Sequence, residues 1–169
     1  ELGGDAFGYN KIDDDNYAFY LLDVSGHGVG SALHSVQVLN ILQNLALPNV
    51  NFCNPKDVLN NLNRIFQMNN YHGLYFTIFY AVYNSAKRSL KYASAGHPPM
   101  LLINNKSLQS LEAQHIFIGA VQNLEYSYDE IEVQKNSSLY LFSDGVFELE
   151  KIDKSMYSFR DFTQDFNNI

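Results

Sequence analysis

Cysteine, long apolar runs and positive charge are all scarce in this sequence, and each shortage argues against a class of protein. A single cysteine among 169 residues permits no internal disulfide and no thiolate metal cluster, and it favours the cytoplasm as the compartment. No apolar stretch approaches the roughly 20 residues of a membrane span, and the first residues do not resemble a signal peptide. With 11 Lys and Arg against 18 Asp and Glu, the formal net charge of −7 argues against nucleic acid or an anionic membrane as the main partner.

The length suits one domain with a sizeable core, and the sequence shows no internal repeat, low-complexity tract or linker. We therefore predict a single domain over residues 1–169. The chain opens within a pattern, at "ELGGDAF", and has no initial methionine, which indicates a domain that belongs to a longer protein.

The spacing of the apolar residues predicts two helices followed by a run of short strands. A near-continuous apolar strand over Tyr17–Asp23 precedes helical spacing over Val29–Leu45, and a second helix over Pro55–Met68 has Asn54 as its N-cap. From Tyr75 the period changes to two, and closely spaced strands without helices between them are antiparallel. This order predicts an α+β fold rather than alternating β/α units, with a tail that is weakly helical or irregular.

Two apolar strands are predicted to end at a carboxylate beside glycine. "YLLDVSGHG" ends at Asp23 and "LYLFSDGVFE" at Asp144, and a third candidate is Asp5 in "GGDAF". Taken alone, each such site also fits a simple turn. That alternative is weakened because the glycines after Asp23 lead into a helix, and because apolar residues continue after Asp144.

Three aspartates on strand ends would supply the oxygen-only ligand set that hard cations such as Mg²⁺ or Mn²⁺ prefer. Glycine beside each carboxylate lets the backbone approach an ion closely, and it would allow the Val24 carbonyl to act as a further ligand. Clustered carboxylates repel one another unless a cation neutralises them, and two ions about 3.5–4 Å apart can clamp a phosphate.

The histidines and the candidate nucleophiles have simpler interpretations. His97, in "SAGHPPM", is better explained as a turn-stabilising residue than as a zinc ligand, and His27 as a loop residue. Ser25 does not lie in the Gly-x-Ser-x-Gly elbow of serine hydrolases. Cys53 has no basic neighbour in its loop, so an ordinary residue is favoured over a reactive nucleophile. The remaining histidines, His34, His72 and His115, lie on the first helix or in loops. No pair among the five histidines has the spacing of a zinc site.

Taken together, the motifs resemble one known family. "GGDAF", "LLDVSGHGVGSAL", "YFTIFYAVYN", "YASAGHPPMLL", "LEYSY" and "LYLFSDGVFE" follow the order and spacing of the bacterial PPM/PP2C-type serine phosphatases of the SpoIIE/RsbU-like group. The resemblance covers nearly the whole chain. It implies an αββα sandwich of two antiparallel sheets flanked by helices (PP2C-like), with two Mn²⁺ or Mg²⁺ ions at one edge.

The resemblance also implies a role for each candidate ligand. Asp5 would bind one ion, Asp23 would bridge both, Val24 would add its backbone carbonyl and Asp144 would bind the other ion. In this family a metal-held water attacks phosphorus directly, without a phosphoenzyme. The substrate implied is phosphoserine or phosphothreonine on an anti-anti-sigma (STAS) protein.

The partners follow from the same resemblance. The two helices would couple metal binding to an upstream sensor or receiver domain, and the family's upstream domains are receiver, PAS, GAF or HAMP modules. A homodimer is a further expectation.

The sequence departs from the family at both ends. The family usually carries a second aspartate in Gly-Gly-Asp-x-x-Asp, where this chain has Gly8. Its last metal aspartate precedes a final strand, whereas this chain stops at "DFTQDFNNI", where Asp161 and Asp165 have helical surroundings. We therefore expect a C-terminal truncation or an absent ligand, and either would weaken the Asp144 ion site. Eukaryotic relatives have a histidine at the position of Ser25, so we assign no general acid.

Three hypotheses follow from these motifs. The first is a metal-dependent protein serine/threonine phosphatase. The second is a catalytically weak or inactive PP2C-like domain that acts as a partner-binding regulatory module, which Gly8 and the missing final aspartate motivate. The third is an α+β module with unrelated ligands.

Overall fold

A computed structural model describes residues 3–104, 107–113, 115–152 and 154–166. In chain order the elements are β1 (Ala6–Lys11), β2 (Asn16–Val24), α1 (Val29–Gln43), α2 (Pro55–Ile65), β3 (Phe76–Asn84), β4 (Ser89–Ala95), β5 (Met100–Asn104), β6 (Ser107–Leu111), β7 (Asp129–Glu132), β8 (Ser138–Tyr140), β9 (Leu149–Glu150), β10 (Met156–Tyr157) and α3 (Phe159–Phe166).

The larger sheet is antiparallel, with the strand order β1-β2-β3-β4-β7. Its centre is the long pair β2 and β3, which stay in register from Asn16 opposite Asn84 to Val24 opposite Phe76. Side chains alternate between the two faces of each strand. Both faces of β3 are buried, so its alternating aromatic and aliphatic residues serve two cores at once.

One core lies between this sheet and the helices α1 and α2. The buried apolar side chains from the helices meet the even-numbered residues of β2 and β3: Val38, Leu42, Val58, Leu59, Leu62, Tyr20, Leu22, Val24, Phe76, Ile78, Tyr80 and Val82. Helix α2 begins as predicted, because the Asn54 side chain accepts a hydrogen bond from the Lys56 N–H and Pro55 occupies the first turn.

The second core lies between the two sheets. The smaller antiparallel sheet has the order β6-β5-β8, and its inner residues pack on the opposite face of the larger sheet. In β8, Leu139 faces this core, while Tyr140 points outward and meets Phe166 of α3 edge-to-face. The layers therefore run helix, sheet, sheet, helix, and the predicted α+β sandwich of two antiparallel sheets is confirmed.

The smaller sheet does not extend over β1. Phe7 and Tyr9 lie on the inter-sheet face of β1, opposite Leu21 and Phe19 of β2, yet they are 73% and 79% exposed. A groove of about 340 Å³ runs beside them and is bordered on its other side by residues 141–143. The open part of the inter-sheet layer is thus next to the segment that leads to Asp144.

The first helix presents its faces differently from its sequence pattern. The apolar residues Val29, Leu33 and Val36 are exposed, whereas Ser31, His34 and Ser35 are buried. Apolar residues lie on every side of this helix, so their spacing predicts that a helix forms but does not predict which side of it is buried.

Several predicted bounds differ from the structure. Helix α1 ends at Gln43, two residues early, because Leu45 takes a left-handed conformation with φ of 50°. Helix α2 ends at Ile65 and is followed by a 3₁₀ turn over Met68–Asn70. The predicted tail contains α3, although residues 167–169 lie outside the described part of the chain. Among the helices that the structure describes, none combines the length and apolarity needed to cross a membrane.

Gly8 occupies the position where the resemblance described above would usually place an aspartate, and the space for a side chain is taken. A Cβ at Gly8 would lie 2.6 to 2.8 Å from atoms of the Tyr20 ring, which is buried and stacks on Tyr80. An aspartate at this position would require the ring to move, so this departure from the family is built into the packing.

We predict that Gly8→Ala destabilises the fold by about 1–3 kcal/mol, because it overpacks the buried Tyr20 ring. The matched control is Gly30→Ala in the first turn of α1, where an added Cβ meets nothing within 4 Å. That change should be neutral or stabilise by up to about 1 kcal/mol. Urea denaturation measures both, and equal stability of the two variants would contradict the packing assignment.

Candidate metal site

Asp23 is held near the end of β2, one of the two central strands of the larger sheet. It is the second-to-last residue of β2 and pairs in register with Thr77 of β3, and its side chain is partly buried. The pairing with β3 fixes the backbone at Asp23, and the pairing with β1 extends to the preceding residue, Leu22, so the carboxylate stands on a rigid element.

The other predicted carboxylates gather around Asp23. The Asp5 side chain shares a hydrogen bond with it, and the charges of Asp5, Asp144 and Glu148 also act on it. Burial and then these neighbours raise the pKa of Asp23 from 3.8 to about 7. The structure thus brings together the three aspartates singled out in the sequence, while their role as metal ligands stays a prediction.

Asp144 reaches the cluster from a turn rather than from a strand end. Strand β8 ends at Tyr140, and Asp144 opens a 3₁₀ turn that continues to Val146. The prediction that a strand delivers Asp144 directly was therefore wrong, because the chain leaves the sheet four residues earlier. The Asp144 carbonyl accepts hydrogen bonds from the N–H groups of Phe147 at 2.9 Å and Glu148 at 2.8 Å.

Glu148 is a member of the cluster that the sequence reasoning missed. The hydrogen bond from its N–H to the Asp144 carbonyl closes one helical turn. Its carboxylate is exposed, and the charge of that carboxylate contributes to raising the pKa of Asp23. The sequence does contain an indication of this, because Asp144 and Glu148 are four residues apart in "SDGVFE". That spacing brings the two acidic side chains together when the segment forms a helical turn.

Gly4 packs against the carbonyl proposed as a ligand. The Val24 N–H donates to the Gly4 carbonyl at 3.4 Å. A Cβ built on Gly4 would lie 2.2 Å from the Val24 oxygen, so no side chain fits there without displacing that carbonyl. The glycine of "GGDAF" thereby sets the position of the Val24 carbonyl.

The loop after Asp23 is tied down by Ser25. The Ser25 N–H donates to the Tyr75 carbonyl at 2.9 Å, and the Ser25 hydroxyl accepts from the Tyr75 N–H at 3.1 Å. The Ser31 hydroxyl donates to the Ser25 carbonyl at 3.0 Å. Gly26 and Gly28 have φ of 80° and 95°, which allows the sharp passage into α1. Ser25 thus has a structural role, consistent with its not being assigned as a nucleophile.

The histidines and Cys53 have the environments expected of structural residues. His27 is exposed in the loop, and His34 is buried among the rings of Phe66, Tyr71 and Phe76. Burial, with the neighbouring Asp13 carboxylate, raises the pKa of the Cys53 thiol, which lowers its thiolate fraction and its reactivity.

The last two aspartates of the chain have other partners. Asp161 accepts hydrogen bonds from the N–H and hydroxyl of Ser158, both at 2.9 Å, and pairs with Lys151 at 3.2 Å. Asp165 accepts a hydrogen bond from the Tyr157 hydroxyl at 2.7 Å. Both carboxylates are thus engaged in anchoring α3.

The donor chemistry of the cluster suits a hard divalent cation. All its side-chain donors are carboxylate oxygens, and the Val24 carbonyl lies at the same strand end. Within the described ranges, however, no three His, Cys, Asp or Glu side chains lie close enough to enclose an ion. The carboxylates are therefore gathered but not closed into a ligand shell, and a cation would have to draw them together.

The fold and this oxygen-rich strand end define a PP2C-type domain. The structure superposes on the SiaA-PP2C domain of Pseudomonas aeruginosa with a TM-score of 0.83, covering 99% of this chain and 66% of that one. The sequence identity is 19%, so this similarity establishes the fold alone.

Sequence comparison identifies the family. Residues 13–168 match the family model of Stage II sporulation protein E, SpoIIE, and the chain belongs to this family. It is 32% identical over 150 residues to phosphoserine phosphatase RsbU of Bacillus subtilis (strain 168), and 31% identical over 153 residues to phosphoserine phosphatase RsbP of the same strain. Each alignment covers 88% of this chain but only 44% of RsbU and 37% of RsbP. The resemblance read from the motifs is confirmed, and the matched range includes Asp23 and Asp144 but begins after Asp5.

The raised pKa of Asp23 predicts a pH-dependent stability in the presence of EDTA. Between about pH 4 and pH 7 the folded Asp23 side chain retains a proton that the unfolded chain has released, so Asp23 contributes a fall in the free energy of unfolding as pH rises. Buried His97, whose pKa is lowered, contributes in the opposite direction, so the prediction is a difference between variants: Asp23→Asn should have a more positive slope than the wild type. Asp14→Asn, at an exposed site outside the cluster, should keep the wild-type slope. Denaturation at a series of pH values measures the slope, and an unchanged slope in Asp23→Asn would contradict the assignment.

The contact between Gly4 and the Val24 carbonyl predicts a defect in ion binding. Gly4→Ala should weaken Mn²⁺ binding by about tenfold or more, because the new methyl group displaces the carbonyl. Gly3→Ala is the control, since its Cβ would meet only the Asp5 nitrogen at an ordinary 3.9 Å. Isothermal titration of Mn²⁺ compares the two, and equal affinities would show that the Val24 carbonyl is not a ligand.

Proposed function

We propose that the domain is a metal-dependent protein phosphatase that hydrolyses phosphoserine or phosphothreonine to the free hydroxyl and inorganic phosphate. The observation that carries this proposal is the convergence of Asp5, Asp144 and Glu148 on Asp23 at the end of β2. Membership of the SpoIIE family and the similarity to two proteins named phosphoserine phosphatases support it. Residues 1–169 are proposed to form this domain within a longer protein.

The proposed ligands divide between two Mn²⁺ or Mg²⁺ ions. Asp5 would hold one, Asp144 the other, Asp23 would bridge them and the Val24 carbonyl would complete the set. Bound ions of this kind neutralise phosphoryl oxygens and supply hydroxide at neutral pH. Glu148 adds a fourth carboxylate, which would favour cation binding at the Asp144 side.

The chain's own residues have complementary tasks. Asp23 must lose its proton to bind a cation, and its raised pKa means that protons and cations compete for it near neutral pH. The paired strands β2 and β3 fix the position of Asp23, so the reorganisation that cation binding requires would fall on Asp5 and Asp144.

The substrate and partners are proposed at a finer level. The substrate class is a phosphorylated STAS-domain regulator, and the regulatory partner is an upstream sensor or receiver domain in the parent chain. The helices α1 and α2 would transmit that domain's state to the carboxylates, because α1 begins five residues after Val24. A homodimer would place two such units together.

A second candidate is a catalytically weak or inactive domain that binds a partner. Two observations favour it: Gly8 stands where the family has an aspartate, and the described carboxylates do not enclose an ion. This candidate needs no cation to bind a STAS-type protein.

Phosphatase assays separate the two candidates. The parent protein should hydrolyse p-nitrophenyl phosphate and a phosphorylated STAS protein only with Mn²⁺ or Mg²⁺, and Asp23→Ala should reduce the rate by at least about 100-fold, the effect of losing several kcal/mol of charge stabilisation. Asp14→Ala, outside the cluster, should retain the rate. Metal-independent binding of the STAS protein without turnover would instead establish the second candidate.

A further inference from the structure

His97 lies in a tight turn between the two sheets. It follows Gly96, whose φ is 71°, and precedes β5, and its side chain is only 6% exposed. Ser94 fixes the backbone on both sides: its hydroxyl donates to the His97 carbonyl at 2.9 Å and accepts from the His97 N–H at 3.1 Å. A turn needs no imidazole for this geometry, because only backbone atoms of His97 take part.

The imidazole itself points toward the strand that supports Asp23. Its Nδ1 lies 3.1 Å from the Thr77 hydroxyl, and Thr77 is the register partner of Asp23. Directly opposite residues of an antiparallel pair project from the same face of the sheet, so the histidine attaches to the immediate neighbour of Asp23.

The other side of the ring faces the segment that leads to Asp144. The Phe142 carbonyl acts on the imidazole as a hydrogen-bond acceptor, and the charge of Asp5 also reaches it. Nε2 is buried and makes no hydrogen bond of full geometry with any described residue. Since Nδ1 is engaged with Thr77, Nε2 is the atom available to the Phe142 carbonyl, two residues before Asp144.

A neutral ring fits these two neighbours. Burial lowers the pKa of His97 to about 4, so the imidazole carries one N–H and one acceptor nitrogen at neutral pH. The arrangement that satisfies both neighbours places the proton on Nε2, which then faces the Phe142 carbonyl. Nδ1 accepts from the Thr77 hydroxyl.

We propose that His97 is a positioning residue of the acidic site, and that its neutral ring links Thr77, beside Asp23, to the Phe142 carbonyl, beside Asp144. The ring thereby sets the separation between carboxylates that arrive from the two sheets. The inference rests on the proposed function, because that function gives the separation its importance. His97 touches neither phosphate nor cation in this role.

The tautomer of His97 is the first test and requires neither metal nor activity. Long-range ¹H–¹⁵N NMR of the metal-free chain, assigned with His97→Gln, should show the proton on Nε2 at pH 7. A proton on Nδ1 would overturn the proposal, because Nε2 would then have no proton to donate to the Phe142 carbonyl.

Two substitutions test the positioning role. His97→Phe removes both contacts and should weaken Mn²⁺ binding by up to about tenfold, the size of effect that the loss of one hydrogen bond can produce, and lower kcat for p-nitrophenyl phosphate with little change in KM. His97→Gln, whose amide can still donate to the Phe142 carbonyl, should recover part of both. Thr77→Val should reduce Mn²⁺ affinity less in the His97→Phe background than in the wild type, since the two residues act as a pair.

The matched control is a second histidine–hydroxyl pair outside the site. His115 Nε2 lies 2.8 Å from the Ser127 hydroxyl, so His115→Phe loses a comparable contact but should leave Mn²⁺ affinity unchanged. If the wild type binds Mn²⁺ and turns over while His97→Phe and His97→Gln match it in affinity and kcat, His97 has no positioning role. If the wild type neither binds Mn²⁺ nor turns over, the proposed function fails instead, and the tautomer alone then decides whether the link exists.

Discussion

The charge of Asp23 is the constraint on which the rest of the site depends. Its carboxylate is partly buried at the end of a central strand, shares a hydrogen bond with Asp5 and feels two further carboxylates. Burial and like charge both oppose ionisation, so the ionised cluster is unfavourable in the absence of a cation. Such an arrangement is expected at a functional site rather than at a site selected for stability.

The fold explains how these carboxylates come together. Asp5 precedes the edge strand β1, Asp23 is the second-to-last residue of β2, and Asp144 lies in a turn beyond β8 of the other sheet. The distance between Asp23 and Asp144 therefore depends on the packing of one sheet on the other. His97 contacts both sides of this gap, through Thr77 on one side and Phe142 on the other. It can therefore influence the separation of the carboxylates without contacting them.

Local patterns in the sequence predicted much of this structure. The period of two predicted from Tyr75 onward is present in β3, where Phe76, Ile78 and Tyr80 enter one core and Phe79 and Ala81 enter the other. The start of α2 followed from Asn54 and Pro55, because capping depends on adjacent residues alone. The motifs also led to the family, which the SpoIIE match over residues 13–168 confirms.

The remainder depended on contacts between distant segments. The buried side of α1 could not be predicted, since Ser31 and His34 face inward only because the loop at Ser25 and the rings around Phe66 receive them. Glu148 joined the cluster through a turn whose geometry the sequence does not specify, and the burial of His97 required both sheets.

Anomalous diffraction from crystals grown with Mn²⁺ tests the central claim most directly, because it locates the ions without reference to activity. The account predicts anomalous peaks within coordination distance, about 2 Å, of the Asp23 carboxylate, with Asp5 and Asp144 drawn in as further ligands. Peaks that lie only elsewhere, or a fully occupied site that leaves Asp23 unliganded, would contradict it.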